Sequence, residues 1–482
     1  MSKNTKSLLT LFLSSLIAVL LVLVPHSASA AGVDNGAPLK ATINSALQSG
    51  HLNENLGNQL LYRVGIIDQL EKQKQKETAV SYLKDLKTYA GSETLLAQKL
   101  ITKDVQTKIS QQADTWSNYL SGNQGGQLIQ PNTQESRVYD WLSQMQLKNG
   151  LIESKEDGNQ VSLYDNALSA IIFTANGDYA KAEKIFDFFN SRLATEFDGK
   201  YKGFAQFRDR DGKPENNKPN RWLGDNAWLL IALDNYQAKT NSNKYQKLTS
   251  KLETWIHSLQ DNDGGLWGGT DPDDQRIDKN TEGILDAFVA VKGYDNFHRN
   301  ILKYLQNNRY NTQTNLLKAA EGKYMYPLDL ISWGYGMLEG YPNNALLKAG
   351  IMFNSQKPTA NPKNEVFGYS FDVDNDTIWV EGTGEMAVSF NIAGMKNEAN
   401  FTIQQMEKMF IQSDKFKGAQ GLPYATNPGT GYGTGSLWDG VDTNIAVSSS
   451  VWYILAKTHY NPYNYASGRS KGIPQADQFY AR

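Results

Sequence analysis

The chain has 482 residues, of which 40% are apolar and 20% charged, and its formal net charge is −2 at pH 7. That length and balance allow a large buried core and exclude global disorder or a collagen-like chain. The charge lacks the basic surplus that binds phosphate backbones, so nucleic acid is excluded as a partner, and the absence of cysteine excludes disulfides, thiolate nucleophiles and Cys-ligated zinc.

At the N-terminus, Lys3 and Lys6 precede an apolar run from Leu8 to Val24, followed by Pro25 and the small residues Ala28, Ser29 and Ala30. This order predicts a signal peptide over residues 1–30, cleaved after Ala30, and hence a secreted, extracellular protein with no membrane contact after cleavage. A retained anchor is the alternative, because the run approaches bilayer-spanning length.

Residues 38–121 read as a small helical module, with Leu56, Leu60, Leu61, Val64 and Ile67 recurring at three- and four-residue steps. Its stretches Leu39-Lys-Ala-Thr-Ile-Asn-Ser-Ala-Leu, Leu56-Gly-Asn-Gln-Leu-Leu-Tyr and Ala79-Val-Ser-Tyr-Leu-Lys-Asp-Leu resemble the FIMAH-type module of extracellular polysaccharide enzymes. A linker over 122–133 follows, marked by Gly and polar residues.

From 134 to 465 two kinds of helical segment alternate at a spacing of about fifty to sixty residues. Six are amphipathic with a charged face and suit an outer layer: 135–146, 179–193, 244–259, 296–306, 344–353 and 398–411. The other six are rich in Ala, Gly, Ser and large apolar residues. They begin near Leu163, Leu223, Asn280, Tyr326, Trp379 and Asp442. This alternation predicts an all-α fold, an (α/α)6 toroid of parallel inner helices with outer helices running back, preceded by the small module. Residues 466–482 read as a C-terminal tail.

Each inner segment opens with a carboxylate in or beside its first turn: Asp165, Asp225, Glu282, Asp329, Glu381 and Asp442. Taken singly, each fits a helix-capping role, since free N–H groups and the positive dipole end favour negative charge there. Parallel inner helices would bring all six to one mouth, where mutual repulsion would raise some of their pKa values into the range of a general acid. Aromatic residues concentrate in the loops that feed this mouth: Trp222, Trp267, Tyr324, Tyr326, Trp379, Tyr432 and Trp438. They would stack on sugar rings, or pack the loops onto the barrel. Trp228 and Trp333 are expected in the core.

Glycosidic hydrolysis needs one protonated and one ionised carboxyl, and carboxylates on adjacent helix starts leave room for a water, which favours inversion. The four histidines beyond the leader, His51, His257, His298 and His459, lie away from the predicted mouth. This counts against Ser-His hydrolases, His-based isomerases and His-ligated zinc. The acidic loops at Asp372 and Asp271 lack the Gly and the bidentate Glu of a calcium loop, so no metal and no cofactor is predicted.

The stretches Val161-Ser-Leu-Tyr-Asp-Asn-Ala-Leu, Trp222-Leu-Gly-Asp-Asn-Ala-Trp, Asn280-Thr-Glu-Gly, Pro327-Leu-Asp-Leu-Ile-Ser-Trp and Trp379-Val-Glu-Gly-Thr-Gly-Glu-Met-Ala resemble the six-hairpin glycosidase superfamily, in a little-characterised bacterial branch. The expectation is a glycoside hydrolase acting on a polysaccharide or oligosaccharide, with Glu282 and Glu381 as the leading pair and Asp165 and Asp225 as alternatives. Arg221, Trp222, Trp267, Tyr326, Asp329, Trp379, Trp438 and Asp442 would hold the glycan. Two rivals stay open: a lyase or uronate epimerase using Tyr164 or Tyr326 as base, and a non-catalytic glycan binder.

Overall fold

The computed structural model describes residues 36–120, 128–198, 202–215, 220–320, 326–359, 364–431, 433–436, 444–463 and 471–481. The predicted leader, most of the linker, Tyr324, Tyr432, Trp438 and Asp442 lie outside them. The chain forms two compact units, Met1–Gln124 and Gly125–Arg482. No helix among the described residues is long and apolar enough to cross a membrane.

The first unit holds α1 (Ala37–Gln48), α2 (Glu54–Lys72), α3 (Lys76–Ala90), α4 (Glu93–Ala97) and α5 (Lys103–Leu120). The stripe read from the sequence points inward: Leu56, Leu60, Val64 and Ile67 are fully or almost fully buried, with Leu83, Ile109 and Trp116 facing them in one core. Asn53 starts α2 by accepting the N–H groups of Asn55 and Leu56, which satisfies donors that a helix start leaves unpaired.

The second unit alternates outer and inner helices. The outer ones are α6 (Gln134–Met145), α8 (Tyr179–Ser191), α10 (Gln246–Ser258), α12 (Asn296–Tyr304), α14 (Asn343–Met352) and α16 (Lys396–Glu407). The inner ones are α7 (Leu163–Ala175), α9 (Leu223–Thr240), α11 (Thr281–Ala290), α13 (Asp329–Met337), α15 (Val380–Ala393) and α17 (Val447–Lys457). Each inner helix packs on the next, and α17 packs back on α7, so the ring is closed. Its inner helices are apolar almost all round because they are covered on both sides. Helices α12 and α8 each run on into a single π turn, Leu305–Arg309 and Leu193–Phe197.

Glycines set the spacing of this ring. A Cβ on Gly384 would lie 2.7 Å from Trp452 Cβ, and one on Gly336 would lie 2.5 Å from the Tyr463 ring. Trp228 sits at the centre, with ring centroids 5.8 Å from Trp333, 5.9 Å from Trp452 and 5.8 Å from Tyr463. These side chains fill the middle of the toroid.

Three boundaries differ from expectation. Ile129, placed in the linker, is buried, and its N–H donates to Asn176, so the barrel begins before α6. The last inner helix starts at Val447, five residues after Asp442, with no acidic residue in its first turn. The strand pair Leu422–Pro423 with Ile445–Ala446 holds the chain extended up to that point. Residues 471–481 are no free tail either. Ile473, Phe479 and Tyr480 are buried, Glu339 accepts the N–H groups of Gly472 and Ile473, and the Lys471 ammonium donates to the Val291 carbonyl.

Candidate active site

Five inner helices deliver their first-turn carboxyl groups to one cavity of about 800 Å³. Asp165, Asp225, Glu282, Asp329 and Glu381 all line it, and α17 adds Ala446 and Ser448 in place of an acid. None of the five is the N-cap residue of its helix. In α7 that position belongs to Ser162, whose hydroxyl accepts the Asp165 N–H. The five sit one to three residues into the helix, with their side chains at the cavity wall, and Asp225 and Asp329 also accept nearby backbone N–H groups.

The local sequence explains how two of them are aimed. The residue after Asp165 is Asn166, fully buried, whose amide group donates to the carbonyls of Ile152 and Ser162 and accepts the Ile152 N–H. Asn226 does the same after Asp225, binding the carbonyls of Phe204 and Trp222 and the Phe204 N–H. Each Asn ties the incoming loop to the first turn of its helix, and the neighbouring Asp is left facing the opening. Short strands steady these loops, among them Gln160–Ser162 against Phe207–Asp209 and Arg221–Trp222 against Gly269–Thr270.

The carboxyl groups are poised for proton transfer near neutrality. Burial pushes Asp165 up to about 8, with Ser154 opposing the shift and Glu381 and Asp225 adding to it. Burial also raises Asp225 and Glu282 to about 7. Glu381 reaches about 7 by burial too, although the neighbouring Ser448, Tyr164 and Tyr424 side chains favour its ionised form. Asp329 is held well above the usual carboxylate range by burial and by Glu282 and Glu385.

A deeper acidic tier was missed by the sequence reading. Asp286 lies one turn beyond Glu282 and Glu385 one turn beyond Glu381, and both are buried. Burial drives both well above the ordinary range, Asp286 with help from Glu282 and Glu385 with help from Glu381. The Ser332 hydroxyl donates to Glu385 at 2.8 Å. Their four-residue spacing from the first tier was the available signal, since residues i and i+4 share a helix face.

The aromatic expectations divide. Trp222 and Trp379 line the cavity, and Trp379 makes an edge contact with Phe371, centroids 5.4 Å apart. Trp228 and Trp333 line it as well as filling the core, because the middle of the toroid is also the cavity floor. Trp267, Tyr326 and Arg221 are not among its lining residues. The Lys279 ammonium lies over the Trp267 ring, 4.8 Å from its centroid, while Tyr326 accepts a hydrogen bond from Asn311. Arg221 is buried and donates to the Asp271 carbonyl. In the loop at Asp372, Asp374 and Asp376 accept hydrogen bonds from Thr430 and Gly433 and so clamp the facing turn.

No family model and no curated protein matches the sequence. Solved structures do resemble it. A wild-type glycosidase superposes with a TM-score of 0.50 at 13% identity, covering 68% of this chain and 99% of its own. A D-mannose isomerase gives 0.49 at 9% identity over 69% of this chain and 96% of its own. The cellobiose 2-epimerase of Bacillus thermoamylovorans B4167 gives 0.45 at 12% identity over 70% and 99%. At such identities it is the fold that is shared, and with the ring closed by α17 on α7 that fold is an (α/α)6 toroid.

Proposed function

We propose that the second unit is a glycoside hydrolase that cleaves a polysaccharide, with Glu282 as general acid and Glu381 as the carboxylate that activates water. The observation that carries this reading is the meeting of five acidic side chains, distant in sequence, on one cavity, several of them titrating near neutral pH. Hydrolysis of a glycosidic bond needs one such group protonated and another ionised. The division of roles follows from their surroundings. The neighbouring Ser448, Tyr164 and Tyr424 side chains favour the charge of Glu381, whereas burial acts on Glu282 without that support. The resemblance to a glycosidase, one form of which was captured with glucose, agrees with a saccharide ligand.

The Tyr-base alternative has less support. The Tyr164 hydroxyl accepts the Trp452 indole N–H at 2.8 Å, and burial together with Glu381 and Glu385 pushes its pKa well up, which opposes the phenolate a base requires. Tyr326 is not among the cavity-lining residues.

The test is a panel of polysaccharides digested by the mature protein and read by reducing ends and by ultraviolet absorbance. New reducing ends without absorbance are expected, and Glu282→Gln and Glu381→Gln are each expected to lower turnover by about a hundredfold or more. Absorbance from an unsaturated uronate, or full turnover in both variants, would overturn the assignment. We also propose export through residues 1–30, tested by sequencing the N-terminus of the secreted protein, and a FIMAH-type identity for the first unit.

A further inference from the structure

The charge of the cavity wall is one-sided. Six of its lining residues are acidic, with Asp286 joining the five first-turn carboxyls, and Lys155 is the single cationic side chain among the described lining residues. Two of the acids also have an oxygen with no partner: Asp286 Oδ1 and Asp329 Oδ1 are buried and accept no hydrogen bond, on residues only 2% and 6% exposed. Buried polar oxygens are ordinarily satisfied, and a pair of unsatisfied ones on a cavity wall marks where a ligand donor is wanted.

We propose that the cavity sorts sugars by charge, taking a unit that carries a primary ammonium group against Asp286 and Asp329 and rejecting hexuronates. The inference rests on the hydrolase reading above and names its substrate class, a glycan with free amino groups. An ammonium brings up to three N–H donors for the open oxygens and favours the ionised form of Asp286 and Asp329, whose protons burial otherwise retains. A uronate carboxylate would give up its hydration beside six acids that already resist ionisation, so its charge is disfavoured there. A neutral hydroxyl can donate to one of the two oxygens but supplies no counter-charge. A metal ion is a poorer occupant: among the described residues no three acidic or His side chains are placed to share one.

The experiment compares glucosamine, glucose, N-acetylglucosamine and glucuronate binding to the full-length protein by calorimetry and saturation-transfer NMR at near-neutral pH. Glucosamine is expected to bind about tenfold or more tighter than glucose, and glucuronate more weakly than glucose. N-acetylglucosamine, with its amine blocked, is expected to fall to the glucose level. In Asp329→Asn and Asp286→Asn the ratio of glucosamine to glucose affinity should shrink to about twofold or less. Glucosamine binding no tighter than glucose, no glucosamine binding at all, or glucuronate binding as well as glucosamine overturns the proposal. The ranking on unaltered protein decides it even where a variant fails to fold. Turnover dependent on Glu282 and Glu381 without a charge preference overturns charge sorting alone. A charge preference with no turnover on any polysaccharide overturns hydrolysis alone.

Discussion

Gly382 gives Trp379 its place at the cavity wall: a Cβ on that glycine would lie 2.2 Å from the indole Cε3 and 2.9 Å from Leu328. The ring lies at the start of α15, beside Glu381, so a glycine in the first turn of the helix decides where an aromatic wall and a carboxyl can stand together. Gly382→Ala is expected to turn the indole out of its position, because overpacking of a filled site costs about 1–3 kcal/mol and the ring is the part able to move. Melting temperature should fall by several degrees, and activity should fall much further than stability does. Activity at the level of the unaltered enzyme would contradict the contact.

The raised carboxyls give the second unit a definite pH dependence of stability. Asp225 ionises near 4 when unfolded and at about 7 in the fold, so the folded state holds the extra proton. Its contribution is therefore intact below about pH 4 and declines as pH rises to about 7, then stays level. Asp165 acts in the same direction up to about 8. Asp225→Asn should raise the melting temperature at about pH 8 and leave it nearly unchanged at about pH 4. Thermal melts of both proteins across that window check the sign, and a gain confined to acid would refute it.

Glu385 offers a test of its protonation. It is wholly buried, held well above the carboxylate range by burial and Glu381, and it accepts the Ser332 hydroxyl. A protonated carboxyl has nearly the shape and hydrogen-bonding capacity of an amide. Glu385→Gln is therefore expected to change stability by less than about 1 kcal/mol, whereas Glu385→Ala, which opens a void and strands Ser332, should cost about 2–4 kcal/mol. Chemical denaturation of both variants measures the difference. Equal losses would mean the group is charged in the fold.

The Arg208–Glu196 pair anchors the strand that precedes the second repeat. Arg208 is fully buried, and its two terminal nitrogens reach the two Glu196 oxygens at 2.8 and 2.7 Å. Phe207–Asp209 in turn pairs with Gln160–Ser162, which leads into α7 and Asp165. Glu196→Ala would leave a buried guanidinium uncompensated and should cost about 3–5 kcal/mol. The same denaturation measurement applies, and a loss under about 1 kcal/mol would contradict the pairing seen here.

Much of this architecture was legible along the chain. Amphipathic and wholly apolar helices differ in period and composition, which are local properties, so the alternation of α6 to α17 could be read segment by segment. The first-turn carboxyls were legible for the same reason. Asp442 was the exception: nothing local showed that the backbone stays extended through Ile445–Ala446 before α17 begins. Residues 471–481 were misjudged because Ile473, Phe479 and Tyr480 are too few to announce a core segment, and their burial depends on Glu339 and Tyr341, far back in the sequence.

Local pattern along the chain was enough to show the alternating helices and an acidic residue at the start of five inner ones, since helix period and composition act over a few neighbouring residues. Tertiary structure alone decided which side chains share a cavity. It set Trp228 and Trp333 at the floor, left Trp267 to Lys279, and brought Asp286 and Glu385 under the first tier. The direction of a side chain depends on how closely adjacent helices approach, and that distance is fixed by contacts such as Gly384 on Trp452, made between residues far apart in the chain.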